Sequence, residues 1–158
     1  MSRRARRCPV TRPPGSQCQL LCCWHEFTPD ALFHARVSLA RVVSENDLSP
    51  DVAMDVVMAA SELMANAAEH ACGPYELRVR RGTGKLVFEI VDHDSKMPNL
   101  TQFEEKVARA REFDPARLGP ELSERGRGLN IVHTVSQGAW GVRVEETEKT
   151  VWFAVSLL

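Results

Sequence analysis

The run DVAMDVVMAASELMANAAEHA, residues 51–71, constrains the fold more than any other segment. Its apolar residues recur at helical spacing and leave almost no polar side, and a helix of that kind has to be covered by other elements. Ser49-Pro50-Asp51 offers a cap and a proline suited to the first turn, and Cys72-Gly73-Pro74 stops the helix. This pattern predicts the longest and most buried helix of the chain. With 158 residues, 44% of them hydrophobic and 26% charged, the chain can build one core around that helix and has little material for a second.

The flanking segments supply the cover. Gln19 to Phe27 (QLLCCWHEF) reads as a strand with an apolar side, ended by the helix-start signal Thr28-Pro29-Asp30. In ALFHARVSLARVVSEN the residues Leu32, Val37, Leu39, Ala40, Val42 and Val43 form a broad helical stripe. YELRVRR and KLVFEIVD, on either side of Gly82-Thr83-Gly84, predict an antiparallel hairpin. GVRVEE and TVWFAVSLL predict another, preceded by the helical stretch LNIVHTVSQGAW. Between His93 and Arg125 the regularity fades, because Pro98, Pro115, Gly119 and Pro120 interrupt a weak helical pattern from Gln102 to Glu112. A segment this long and irregular inside a small domain reads as functional or mobile.

Residues 1–17 have the Arg/Pro/Gly-rich composition of a disordered extension, which leaves 18–158 as the folded domain. Arg3, Arg4, Arg6, Arg7 and Arg12 give that tail about +5, so with a net charge of -1 overall the remainder carries about -6. An acidic domain is not an obvious nucleic-acid binder. No apolar run is long enough for a signal peptide or a membrane span, and cytoplasmic residence is the expectation. Five cysteines, three of them crowded at Cys18, Cys22 and Cys23, do not look like a disulfide framework, and reduced thiols are expected. Nor do these three and His25 form a zinc site, because successive strand side chains point to opposite faces.

Three features carry chemistry. Glu62, Asn66 and His70 follow one another at i, i+4 intervals, each step advancing about 400°, so they share one side of an otherwise apolar helix. Burying a carboxylate and an amide is unfavourable unless each finds a partner, and a ligand or ion is one way to supply it. The alternative is a partly solvated face with Glu62 paired to an arginine. Asp92 ends the apolar strand LVFEIV, where a carboxylate can accept a hydrogen bond from an exocyclic amine and so favour adenine over guanine; it can equally cap the next loop. Gly126-Arg127-Gly128-Leu129 stands directly ahead of a helix, where glycines allow close backbone approach and free amides favour phosphate.

The order of these pieces matters more than any one of them. SELMANAAEHA resembles the N-box of the GHKL ATPase superfamily, and VDHDSKMP resembles its adenine-binding aspartate loop. ERGRGLNIVHTVSQGAWGV with KTVWFAV is similar to its glycine-rich lid end and closing strands. The short length and the wording of the motifs are most similar to the anti-sigma-factor serine kinases of actinobacterial type, over roughly Gln19 to Leu158. This resemblance implies an α+β fold, the two-layer sandwich of the Bergerat type. Its mixed, mostly antiparallel sheet would be covered on one face by helices, with an ATP lid at about 93–125.

The resemblance also implies Mg²⁺ and ATP as cofactors. Asn66 would be the side-chain ligand of the metal and Glu62 the general base. Asp92 would contact adenine with Thr150 beside it on the closing strand. Gly126, Arg127, Gly128 and Leu129 would lie against the phosphates, with His70 near them. One departure stands out: the aspartate loop of the superfamily usually reads D-x-G-x-G, and here Asp94 and Lys96 occupy the glycine positions. The implied function is a serine protein kinase that sequesters a sigma factor and phosphorylates an anti-anti-sigma (STAS-type) protein, with homodimerisation open. Direct contact with nucleic acid or membrane is not expected. The rival reading is a non-catalytic ATP-binding module that shapes a surface for partner proteins. The catalytic half of a histidine kinase is a weaker reading, because no helical segment ahead of the domain offers a phospho-accepting histidine.

Overall fold

The structure, a computed structural model, describes residues 18–71, 73–93 and 124–157. The tail expected over 1–17, and the expected lid apart from His93, Glu124 and Arg125, lie outside the described residues. In chain order the elements are β1 (Cys18–Trp24), α1 (Pro29–Glu45), α2 (Pro50–His70), β2 (Tyr75–Gly82), β3 (Lys85–Asp92), α3 (Glu124–Ser136), β4 (Trp140–Val144) and β5 (Lys149–Ser156).

The first two helices start where their caps dictate. Thr28 Oγ1 accepts from the Ala31 amide at 3.2 Å and Ser49 Oγ from the Val52 amide at 3.4 Å, each ahead of a proline that has no amide to satisfy. Asp30 and Asp51 then place negative charge on the positive end of each helix dipole.

The strands form one open five-stranded sheet in the order β1-β2-β3-β5-β4, antiparallel at every pairing among the described strands. Alternation gives this sheet two different faces. Leu77 and Val79 of β2, Leu86, Phe88 and Ile90 of β3, and Val151, Phe153 and Val155 of β5 belong to the core beneath the helices. Phe88 and Phe153, opposite each other in the register, stack with centroids 5.1 Å apart. Val56, Ala59, Ala60, Leu63, Met64 and Ala67 of α2, and Ala35, Leu39, Val42 and Val43 of α1, close that core from above. This is the two-layer α+β arrangement that the resemblance implies.

The opposite face carries Glu76, Arg78 and Arg80 of β2 and Glu89 of β3. Arg78 Nε donates to Glu76 Oε2 at 2.6 Å, and Arg80 Nη2 to Glu89 Oε1 at 2.8 Å. Burial opposes the Arg78 charge, and Glu76 and Glu148 outweigh it, so the guanidinium is held above its ordinary value.

Two expectations need adjusting. The 21 residues of α2 do make it the longest described helix, yet its cover is incomplete, with Met54 66% and Met58 47% exposed. These methionines line a groove of about 560 Å³ between α1 and α2, together with Arg36, Ala40 and Val57. The thiols are also not all reduced: Cys23 is disulfide-bonded, whereas Cys18 and Cys22 keep their thiols. Crowding in sequence is not crowding in space here, because Cys22 pairs with Leu77 of the core face and Cys23 with Glu76 of the other. Burial pushes the Cys22 thiol up, and its hydrogen bond to Ser38 Oγ at 3.6 Å offsets part of that.

A three-residue turn ends α3 and returns the chain as β4. Gly138 sits at φ +84°, and its amide donates to His133 O at 3.0 Å, which satisfies a carbonyl of the last helical turn. A Cβ there would meet only His133 Cε1 at 3.6 Å, but L side chains rarely adopt this backbone conformation. Gly138→Ala is therefore expected to lower stability by about 1–2 kcal/mol in a urea melt, and an unchanged midpoint would show that the turn does not hold the left-handed geometry.

Candidate functional site

Chain connectivity gathers the candidate residues at one end of the sheet. Four residues lead from His70, the last of α2, to Tyr75, and Tyr75 pairs with Asp92. The Tyr75 hydroxyl fastens this corner by donating to Ala71 O at 2.6 Å. The C-terminal half of α2 therefore ends beside the strand end that bears Asp92. From the other side, α3 packs on α2, β5 and β4, and its last residues turn tightly into Trp140 at the far end of β4. Thirteen helical residues span about 20 Å, so the start of α3 stands about that far from this turn.

Glu62 and Asn66 sit one turn apart on α2 and are each half-buried. Neither side chain has a hydrogen bond or ion pair among the described residues, so the expected alternative, Glu62 paired with an arginine, is not what the described residues form. His70 closes the helix, and its side chain lies outside the description.

Asp92 is not waiting alone at its strand end. Lys149, its cross-strand partner on β5, places Nζ 3.0 Å from Asp92 Oδ2, with the side chains 7% and 3% exposed. Sequence reasoning missed Lys149. The signal available was a lysine opening an otherwise apolar strand, KTVWFAV, but only the register reveals which residue it faces.

Thr150 behaves otherwise than expected. It pairs with Val91, not Asp92, and alternation puts its side chain on the face of the sheet opposite to Asp92 and Lys149. It is fully buried there, and its hydroxyl has no hydrogen-bond partner among the described residues. The expected adjacency of Thr150 and Asp92 was a step of one residue off, and one residue reverses the face.

The glycines also need a correction. They were expected ahead of a helix, yet α3 begins at Glu124, so Gly126 lies in its first turn and Gly128 beyond it. By the i to i-4 rule the amides of Gly128 and Leu129 are donors to the carbonyls of Glu124 and Arg125, and only those up to Gly126 stay open to a ligand. Glu124 and Arg125 are good helix formers, and an acidic first residue suits the dipole, which is the signal the glycines obscured. The side chains of Arg127 and Leu129, and the loop positions Asp94 and Lys96, lie outside the description. Neither the α1–α2 groove nor a smaller one near Gln19, Asn46 and Arg81 opens at Glu62, Asn66 or Asp92.

Comparison with known proteins agrees with this fold. The sequence profile of the family described as histidine kinase-like ATPase domain matches residues 26–155. The structure is similar to that of the SiaB-SiaC complex from Pseudomonas aeruginosa, with a TM-score of 0.64 at 17% identity, covering 86% of this chain and 89% of that one. It is less similar to the histidine kinase domain of the Erythrobacter litoralis EL346 blue-light activated histidine kinase, with a TM-score of 0.45 at 17% identity, 80% of this chain and 60% of that one. At such identities the likeness concerns the fold. No curated protein matches the chain in sequence.

The buried Asp92–Lys149 pair gives a direct test of the corner. Lys149→Met leaves a buried carboxylate without its cation and is expected to cost about 3–5 kcal/mol in a urea melt, whereas adding Asp92→Leu should restore most of it. A single variant as stable as the wild type would show that the two side chains are not paired.

Proposed function

The chain belongs to the histidine kinase-like ATPase domain family, and from that premise we propose that it is a cytoplasmic ATP-binding regulatory protein, an anti-sigma factor that phosphorylates a serine of an anti-anti-sigma (STAS-type) partner. The observation that carries this reading is the pair Glu62 and Asn66, half-buried and without a partner among the described residues, on the helix that ends beside Asp92. Two half-buried polar groups one turn apart are free to take a ligand in place of water.

The residues present fit Mg·ATP. Asn66 offers a neutral carbonyl oxygen, and Mg²⁺ commonly takes few protein ligands beside phosphate oxygens and waters. The contact to Lys149 occupies one Asp92 oxygen and leaves the other as an acceptor for an exocyclic amine. The first turn of α3, with the Gly126 amide, offers open amides that favour phosphate. When bound, Mg·ATP supplies the transferable phosphoryl group and the cation that neutralises its oxygens. In this reading Glu62 takes the proton of the attacking serine hydroxyl, Asn66 orients the metal, and the α3 terminus with Arg127 offsets negative charge. Asp92 holds the base, while His70 and Leu129 border the phosphates.

Support for protein partners comes from the fold likeness to a chain solved in a complex named for two proteins, SiaB-SiaC. No described helix is long and apolar enough to cross a membrane, in keeping with a protein that works on other proteins. A second reading, a non-catalytic nucleotide-binding module, is favoured by Lys149 already engaging Asp92 and by Asp94 and Lys96 at the usual glycine positions.

Two measurements on each variant separate these readings: nucleotide affinity by titration in Mg²⁺, and transfer of labelled γ-phosphate to a co-purifying partner. Wild type should prefer ATP to GTP, and Asp92→Asn should weaken ATP. Glu62→Gln should keep ATP binding while transfer falls by about 10² to 10⁴. Asn66→Ala should lose Mg²⁺-dependent binding and transfer together. A wild type that binds ATP and holds its partner, yet transfers nothing, would overturn the kinase reading in favour of the module.

A further inference from the structure

The groove between α1 and α2 has apolar walls and a single charge. Ala40, Leu48, Ala53, Met54, Val57 and Met58 enclose about 560 Å³, and Arg36 is the only charged residue among the described residues that line it. With Met54 66% and Met58 47% exposed, apolar surface is left in water, and a patch of this kind marks contact with another molecule. Arg36 is held in place: its Nε donates to Ser61 Oγ at 3.2 Å, and that nearly buried hydroxyl donates to Val57 O at 2.6 Å. Both Nη groups of the guanidinium, with four N–H donors, remain open. Arg41, further along α1, meets Glu45 at 3.8 Å, whereas Arg36 has no carboxylate partner among the described residues.

A positioned cation without a counter-ion at one end of an apolar slot complements a molecule with an anionic head and an apolar tail. We propose that this groove binds a single-chain carboxylate of the fatty-acid class, its head on Arg36 and its tail directed toward the turn that joins α1 to α2. The site shares no residue with Glu62, Asn66 or Asp92, so it goes beyond the ATP reading and stands independently of it.

Three considerations favour such a ligand over a partner helix. The volume falls within the range of small-molecule clefts, about 300 to 1,000 Å³. Arg36 and Ser61 line one end of the groove, while Leu48 and Pro50, at the connection between the helices, border the other. A docked helix would lay a continuous apolar stripe along an open groove, and here the connection stands at one end of it. From Pro50 to Ser61 the α2 wall rises about 16 Å, enough for a medium-chain acyl tail. Methionine thioethers, unbranched and adaptable, suit a flexible chain with no fixed shape of its own.

The experiment titrates sodium dodecanoate, below the concentration at which it forms micelles, into the full chain and follows the backbone amides by NMR. Saturable shifts centred on Ala53, Met54, Val57 and Met58 are expected. Dodecyltrimethylammonium, with the same tail and a cationic head, should bind about 10-fold or more weakly, because it cannot accept from Arg36. Octanoate, with a shorter tail, should also bind at least about 10-fold more weakly than dodecanoate. Arg36→Gln should bring dodecanoate and dodecyltrimethylammonium close to equal affinity, and Met54→Glu, a change at an exposed position, should weaken dodecanoate. The comparison of the three ligands on wild type needs no variant to fold, and thermal melts without ligand check the variants. Equal binding of anion and cation by wild type would overturn the role of Arg36, and the absence of saturable shifts in the groove would overturn the site. A groove that ignores dodecanoate yet takes a synthetic acidic amphipathic helix on the same four amides would overturn the fatty-acid reading in favour of a protein partner.

Discussion

Everything else in this domain depends on α2 serving two demands at once. One side of it, from Val56 to Ala67, is the roof of the core and packs on the aliphatic and aromatic face of the sheet. A neighbouring side carries Glu62 and Asn66, polar groups that the core cannot satisfy. Because the helix is clamped by its apolar side, between α1, α3 and the sheet, the polar groups are held at fixed positions with little freedom to move away from one another. Stability of the core and preorganisation of the site therefore come from the same element. A residue change on the buried side of α2 would be felt at Glu62 and Asn66 through the helix itself.

The sheet divides labour in a similar way. Its helix-covered face is apolar along most of its length and turns polar at its ends, at Gln19 and Arg81 on one side and where Asp92 meets Lys149 on the other. Its other face holds a network of Glu76, Glu89, Arg78, Arg80, Arg143, Glu148 and His93, in which buried carboxylates are matched by arginines. His93 lies between Glu76 and Glu148, one residue after Asp92. The same strand end thus anchors ionic contacts on both faces, which fixes the direction in which the Asp92 carboxylate points.

Much of this was legible from local signals. The caps at Thr28 and Ser49, the hairpin at Gly82-Thr83-Gly84 and the alternation of KLVFEIVD are decided by neighbouring residues, and each element forms where those signals place it. What escaped is non-local. That Asp92 faces Lys149 depends on the β3–β5 register, which joins residues far apart in the chain and has no local marker. Thr150 stands opposite Val91 and not beside Asp92, and that one-residue step puts its side chain on the other face. The start of α3 is hidden by two glycines that read as a loop, although the favourable helix formers Glu124 and Arg125 and the packing against α2 carry the helix through them. Cys23 escaped for the same non-local reason, since a disulfide joins positions that only the fold brings together.

The most direct test of a nucleotide lying between α2, the Asp92–Lys149 corner and the start of α3 is backbone and side-chain amide NMR of the full chain during a titration with Mg·ATP. Shifts concentrated on the Asn66 side-chain amide, the Gly126 backbone amide, and the amides of Asp92 and Lys149 are the expected result. Shifts concentrated instead on Ala53, Met54, Val57 and Met58 in the α1–α2 groove, or none at saturating ATP, would contradict it.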